Sequence, residues 1–207
     1  MTFVVIEGIE GSGKSTLMGG LGAALRAEGH EVVMTREPGG TAVGDAVREI
    51  FLKEPIPISP WTEVLLVNAA RVQHVCDVIR PALAAGRVVL CDRFTDSTLA
   101  YQGYGRDLEL DVVRGVCEIA ARSVDANLTL LVDLPVSVAR SRMRERSGAP
   151  DRIEREDDAF HERVRRGFLS LAEASPSHVI LDGTQSPERV LDAALDAVRG
   201  LLGEPVS

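Results

Sequence analysis

Eight residues near the N-terminus constrain this chain more than any other stretch. Gly8-Ile-Glu-Gly-Ser-Gly13-Lys14-Ser15 fits G-x-x-x-x-G-K-[ST] in full. It follows the apolar run Phe3–Ile6 and precedes a helical pattern at Leu17, Leu21 and Leu25, the context that gives the motif its meaning. The glycines let the backbone curl so that successive N–H groups point inward, where phosphate oxygens can sit. The N-terminus of the following helix adds positive potential. Residues Gly8, Ile9, Glu10, Gly11, Ser12, Gly13, Lys14, Ser15 and Thr16 are therefore expected to hold ATP, with Lys14 reaching the β- and γ-phosphates and the Ser15 hydroxyl on Mg²⁺. Composition agrees: the chain has 23 Lys and Arg, and its only lysines are Lys14 and Lys53. A chain that otherwise uses arginine has lysine where a compact point charge suits phosphate.

Four more short apolar runs follow, at Glu31–Met34, Arg87–Cys91, Leu128–Val132 and His178–Leu181. They are rich in Val, Ile and Leu and do not strictly alternate, as strands buried on both faces do not. Helical patterns separate them, so the expectation is an α/β chain with the P-loop NTPase fold: a five-stranded parallel sheet with helices on both faces. With 207 residues, one domain over 1–207 is expected, with a lid segment at about 140–155. The strongest helix signal spans 61–84. Leu65, Ala69, Val72, Cys76, Ile79 and Leu83 form one apolar stripe, and Val64, Val67, Val75 and Val78 another around Arg71. A helix apolar on two sides is buried on two sides, one against the sheet and one against a ligand cleft, a partner subunit or both.

Net charge is −8 and the pI about 5.1, which argues against a nucleic-acid partner. Cys76, Cys91 and Cys117 lack metal or redox spacing and read as reduced thiols of a cytoplasmic protein. The four histidines, His30, His74, His161 and His178, show no metal-ligand spacing. No apolar run approaches the ~18 residues of a membrane span. A guanine-reading N-K-x-D is absent, which disfavours a GTPase-type switch. At this length small-molecule kinases lead.

Ligands in such sheets sit at the carboxyl ends of strands. The second strand delivers Arg36, a candidate clamp for an acceptor phosphate. The third delivers Asp92, suited to a Mg²⁺ water shell or an attacking oxygen, and Arg93, a second phosphate clamp. The fourth ends in Asp133, for which capping the next helix is at least as good a reading. Residues 140–166 are rich in both Arg and acids. Arg155, Arg163, Arg165 and Arg166 read as an ion-paired surface. Arg144, Arg146 and Arg152 flank the Ser147-Gly-Ala-Pro150 interruption, where a lid would bring arginine to the transferred phosphoryl group, the choice lying among Arg142, Arg144 and Arg146. Arg146 is preferred for that task, then Arg144.

These pieces together resemble the bacterial thymidylate kinase (dTMP kinase) family of P-loop nucleoside monophosphate kinases. The matching segments, in order, are Ile6-Glu7-Gly8-x-Glu10-Gly11, Arg36-Glu37-Pro38-Gly39-Gly40-Thr41, Ala69-Ala70-Arg71, Asp92-Arg93-Phe94, Ser97-x-x-Ala100-Tyr101-Gln102-Gly103 and Asp151-Arg152-Ile153-Glu154. The resemblance implies transfer of the ATP γ-phosphoryl group to dTMP, with Mg²⁺ and a homodimer near the long helix. It implies Glu10 at the sugar 3′-hydroxyl, Arg36 and Arg93 on the acceptor phosphate, Arg71 on thymine O4, and Thr98 and Tyr101 beside base and sugar. Ser97 and Gln102 belong to the same segment and are taken as substrate-binding. Val67 stands where the family often has a Phe stacked on thymine, a contact worth about 0.5–1.5 kcal/mol beyond area burial. Base affinity is then weaker, or Tyr101 and other groups compensate. The alternatives are a kinase for another nucleotide, a kinase for a deoxynucleoside with Glu10 or Asp92 as base, and a non-enzymatic nucleotide switch. Two acceptor-side arginines weigh against the deoxynucleoside kinase and the switch.

Overall fold

The structure, a computed structural model, describes residues 1–53, 56–145 and 149–203. Five parallel strands make one sheet: β1 (Thr2–Glu7), β2 (Val32–Arg36), β3 (Val88–Asp92), β4 (Leu128–Asp133) and β5 (His178–Asp182), in the order β2-β3-β1-β4-β5. Around it lie α1 (Lys14–Ala27), α2 (Ala42–Arg48), α3 (Pro60–His74), α4 (Arg80–Ala84), α5 (Thr95–Thr98), α6 (Leu110–Ala121), α7 (Val136–Glu145), α8 (Asp158–Glu173) and α9 (Pro187–Leu202).

The central strand explains the two-faced core. Along β1 side chains alternate. Val4 and Ile6 join Leu17, Leu21 and Leu25 of α1 and Ala194 and Val198 of α9 on one face. Phe3 and Val5 join Val75, Ile79, Val89 and Phe94 on the other. β3, β1 and β4 are buried along almost their whole length, whereas the edge strands β2 and β5 are only partly covered. β1 is followed in the chain by β2 and β3 on one side, and later by β4 and β5 on the other. The crevice where such sheets take ligands therefore opens at the carboxyl end of β1.

The long helix expected over 61–84 is interrupted. α3 passes into a π-helical turn at Val75–Ile79, and α4 resumes the regular winding. Pro81 accounts for the change: it has no N–H to return to the preceding turn, so the ladder slips just before it. Ser59 accepts the Thr62 amide and Pro60 opens the first turn of α3. Of the two expected stripes, Val64, Val67 and Val75 point inward with Arg71; the other divides, with Leu65 59% exposed and Ala69 and Cys76 in solvent but Ile79 and Leu83 in the core.

Candidate functional site

α1 begins directly at Lys14. Its N-cap, Gly13, has left-handed backbone (φ 100°) and offers no side-chain oxygen to the helix. The first-turn amides are thus left for a ligand. Gly11 must be glycine: its φ is 77°, and a Cβ there would lie 2.5 Å from the carbonyl oxygen of Ala139. Lys14 folds into the loop, its Nζ donating to the carbonyls of Gly8 (3.0 Å) and Ile9 (2.8 Å) and to Ser12 Oγ (3.4 Å). Burial, reinforced by the positive charge of Arg93, brings its ammonium down to about 8. Phosphate oxygens would replace those weak acceptors and restore full charge. Ser15 and Thr16 are exposed at the mouth.

At the end of β3, Arg93 has φ 72°. Its Nη2 donates to Glu10 Oε1 at 2.7 Å, and its Nη1 to Ser97 Oγ at 3.0 Å. The guanidinium lies over the Tyr101 ring, 5.0 Å from the centroid, and the Tyr101 hydroxyl donates to Glu10 Oε2 at 2.6 Å. Burial pushes the Glu10 carboxyl up, but Arg93, Lys14 and Tyr101 together hold it below its usual range. Burial opposes the charge of Arg93 in turn, and Tyr101, Glu10 and Asp92 raise its pKa. His161 of α8 stands behind, its Nδ1 3.9 Å from Glu10 Oε2.

Asp92 was expected to serve a metal, and its surroundings fit one. Its Oδ1 is buried without a hydrogen-bond partner, which a hydrated cation would satisfy. Ser15 lines the same cavity. Among the described residues no cluster of three or more metal-ligating side chains occurs. That suits Mg²⁺ held chiefly by nucleotide phosphates and water.

The far wall is built on α3. Arg71 is 1% exposed. It donates Nε to Glu37 Oε2 (2.7 Å), Nη1 to Asn68 Oδ1 (2.8 Å) and Nη2 to the Phe94 carbonyl (2.9 Å) and Thr98 Oγ1 (3.0 Å). Glu37 is also held by His74 Nδ1 at 2.9 Å, and His74 Nε2 meets Thr35 Oγ1 at 2.6 Å. Gly40, φ 75°, closes over this chain where a Cβ would strike both groups. Gln102 donates to Glu63 Oε2 at 2.9 Å, and Glu63 also pairs with Arg106 and Arg152.

A cavity of about 960 Å³ joins these parts, running from Lys14, Ser15 and Thr16 past Asp92 and Arg93 to Val67, Arg71, Thr98, Tyr101 and Gln102. Two arginine expectations change. Arg36 is not brought into the cavity: strand alternation turns Thr35 inward and Arg36 outward, its side chain 56% exposed and 3.8 Å from Asp45. Arg48, on the last turn of α2, takes the inward place, where burial and the charges of Arg36 and Arg93 lower its pKa. Of the lid arginines, Arg144 is exposed and lines no part of the cavity, and Arg146 lies outside the described residues. Arg142 lines it, donating to the Gly183 carbonyl at 3.0 Å. Asp133 does not face the site; Arg165 holds it through two bonds of 2.8 Å. Arg155, expected on a solvated face, lines the cavity mouth. Sequence reasoning gave no site role to Glu7, Glu37, Arg48, Phe51, Glu63 or His161. Glu7 and Glu37 lay within quoted motifs, and that was their only signal.

The thymidylate kinase family model matches residues 6–194. The thymidylate kinase of Geobacter sulfurreducens is 47% identical over 203 residues, 95% of either chain. That of Deinococcus radiodurans is 47% identical over 194 residues, 93% of either chain. Among solved structures, thymidylate kinase from Ehrlichia chaffeensis aligns with a TM-score of 0.77 at 29% identity, covering 95% of this chain and 98% of that one. With sheet order, phosphate loop and both arginine walls already in place, these matches show that the chain belongs to the thymidylate kinase family.

Proposed function

We propose that the protein transfers the γ-phosphoryl group of ATP to dTMP, giving dTDP and ADP, with residues 1–207 acting as one kinase domain whose lid lies at about 140–155. One observation carries this reading: the cavity has a phosphate loop with a buried lysine at one end and Arg93, Arg48 and the Arg71 wall at the other. A nucleotide switch has no use for the second end. Lys14 and the loop amides hold the donor. Arg93 and Arg48 neutralise the acceptor phosphate, so that its oxygen can approach the γ-phosphorus in line. Glu10, kept ionised, accepts the sugar 3′-hydroxyl. Arg71 and Thr98 face the thymine edge, with Ser97, Tyr101 and Gln102 around the sugar and base. No general base is required, because the attacking phosphate oxygen is already largely ionised.

Ser15 and Asp92 would hold the Mg²⁺ that comes with ATP, and the ion would offset charge on the nucleotide phosphates. Arg142, placed beside the loop, supplies the lid cation in preference to Arg144. The described cysteines are free, Cys91 and Cys117 buried and Cys76 exposed, which supports a reducing cytoplasmic setting. No helix of the described residues is long and apolar enough to cross a membrane. The protein acts as a homodimer through the outer faces of α3 and α6.

A coupled ADP-release assay with ATP and Mg²⁺ across dTMP, dUMP, dCMP, dGMP, AMP and thymidine tests the reading. Turnover with dTMP at least tenfold above the rest is expected. Preference for another acceptor would overturn the thymidylate assignment while leaving the donor half intact.

A further inference from the structure

Glu7 ends β1, one residue before the phosphate loop, and is fully buried. Its carboxylate is spent entirely on the segment that follows β3. Oε1 accepts the amides of Phe94 (2.8 Å) and Ser97 (3.2 Å), and Oε2 accepts the Ser97 hydroxyl at 2.6 Å. That hydroxyl has one proton, which it donates in a hydrogen bond to the ionised Glu7 carboxylate. Its lone pairs are thereby turned toward Arg93, whose Nη1 donates to it at 3.0 Å. The backbone of Arg93 is anchored to the same strand end, its amide donating to the Ile6 carbonyl at 3.0 Å. Arg93 sits at a left-handed φ of 72° that a non-glycine residue holds only when its surroundings over-determine it.

We propose that Glu7 is the positioning residue of the acceptor-phosphate clamp, setting the direction of the Arg93 guanidinium through the Ser97 hydroxyl. Donor loop and acceptor clamp then share one anchor, because Gly8 follows Glu7 directly. The inference rests on the reading that Arg93 binds the acceptor phosphate. A purely structural Glu7, capping the turn through the two amides, would make no use of the Ser97 hydroxyl.

Glu7→Gln keeps shape and the amide bonds but reverses the bond to Ser97. Ser97→Ala keeps the Glu7–amide bonds and removes the link. Dissociation constants for dTMP alone and for ATP alone, measured by titration calorimetry, separate the roles. Each single variant should bind dTMP about tenfold more weakly, the scale of one hydrogen bond to a charged group, and ATP within about twofold of the parent. The double variant should lose no more than the worse single, since both cut one chain. Arg93→Ala serves as the control for the clamp itself. Normal dTMP binding by Ser97→Ala, with Arg93→Ala impaired, would sink the positioning role and spare the clamp. Multiplied losses in the double variant, or equal losses for dTMP and ATP, would also sink it. Normal dTMP binding by Arg93→Ala would remove the clamp and the inference together. Should Glu7→Gln fail to fold, Glu7→Asp, which draws the carboxylate back from the Ser97 hydroxyl, takes its place in the same cycle with Ser97→Ala.

Discussion

Arg71 spreads its guanidinium over Glu37, Asn68, the Phe94 carbonyl, Thr98 and, at 3.5 Å, Cys117 Sγ. Every N–H is engaged before a base arrives. A thymine oxygen must therefore share a donor with Thr98 or the Phe94 carbonyl, so base reading depends on how rigidly this fork is held. Replacing Arg71 with Ala would leave the buried Glu37 carboxylate with His74 as its one side-chain partner, and breaking a buried pair costs about 3–5 kcal/mol. Loss of fold and loss of recognition would then be confused. Arg71→Lys keeps a cation for Glu37 but not the planar fork. The dTMP KM should rise about tenfold while the ATP KM stays within about twofold, steady-state kinetics and a thermal melt being the check. Equal change in both constants would mean that Arg71 only supports the fold. Arg71 was legible because it sat in a motif. Arg48 was not, because nothing in Ala42–Arg48 distinguishes an inward arginine from a surface one until strand alternation has turned Arg36 away. Val67 is a related case. It packs in the same buried cluster as Phe51 and Tyr101, and Phe51, itself under the Arg152 guanidinium at 4.8 Å, brings an aromatic ring to the cavity from a different element.

At the scale of elements, the strands were legible because buried parallel strands need apolar side chains on both faces, and the five runs are the places where the chain supplies them. The π-helical turn was not: its extra residue turns the helix by about 100°, so Ile79 and Leu83 enter the core while Leu65, Ala69 and Cys76 of the same expected stripe face solvent. The function of a strand end was also hidden: Glu7 reads as a charge that stops β1, yet the fold closes over it. Burial, helped by Asp96 and opposed by Arg93, raises its carboxyl from 4.5 to about 7. A carboxyl raised on folding takes up a proton when the chain folds. Its contribution is therefore fully present below about 4.5 and is lost as pH climbs through about 7, by at most ~3 kcal/mol. Glu7→Gln removes that loss. The Tm of the variant relative to the parent should rise by several degrees between pH 5 and pH 8. A constant difference across that range would show that Glu7 is already ionised in the folded protein at pH 5.

For the molecule as a whole, the unresolved demand is the outer face of α3. α3 carries Val67 and Arg71 toward the cavity and Val64 toward α6, while Leu65 and Ala69 face solvent. α6 repeats the pattern, with Val113 and Cys117 buried and Val112 and Ile119 exposed at 44% and 77%. α3 packs against α6, and a second copy laid on this helix pair would cover its exposed apolar residues. Light scattering at micromolar concentration should give twice the 22.3 kDa chain mass, and Ile119→Asp should give one chain. Because Ile119 is exposed in the single chain, the variant should keep its circular dichroism spectrum. Its dTMP affinity should fall more than its ATP affinity, since the helix that loses its outer support is the one that positions Arg71. A parent protein running at single-chain mass, or an Ile119→Asp variant that stays dimeric, would place any contact elsewhere. A monomeric variant with unchanged dTMP affinity would show that α3 is held by its packing against α2 and α6 alone.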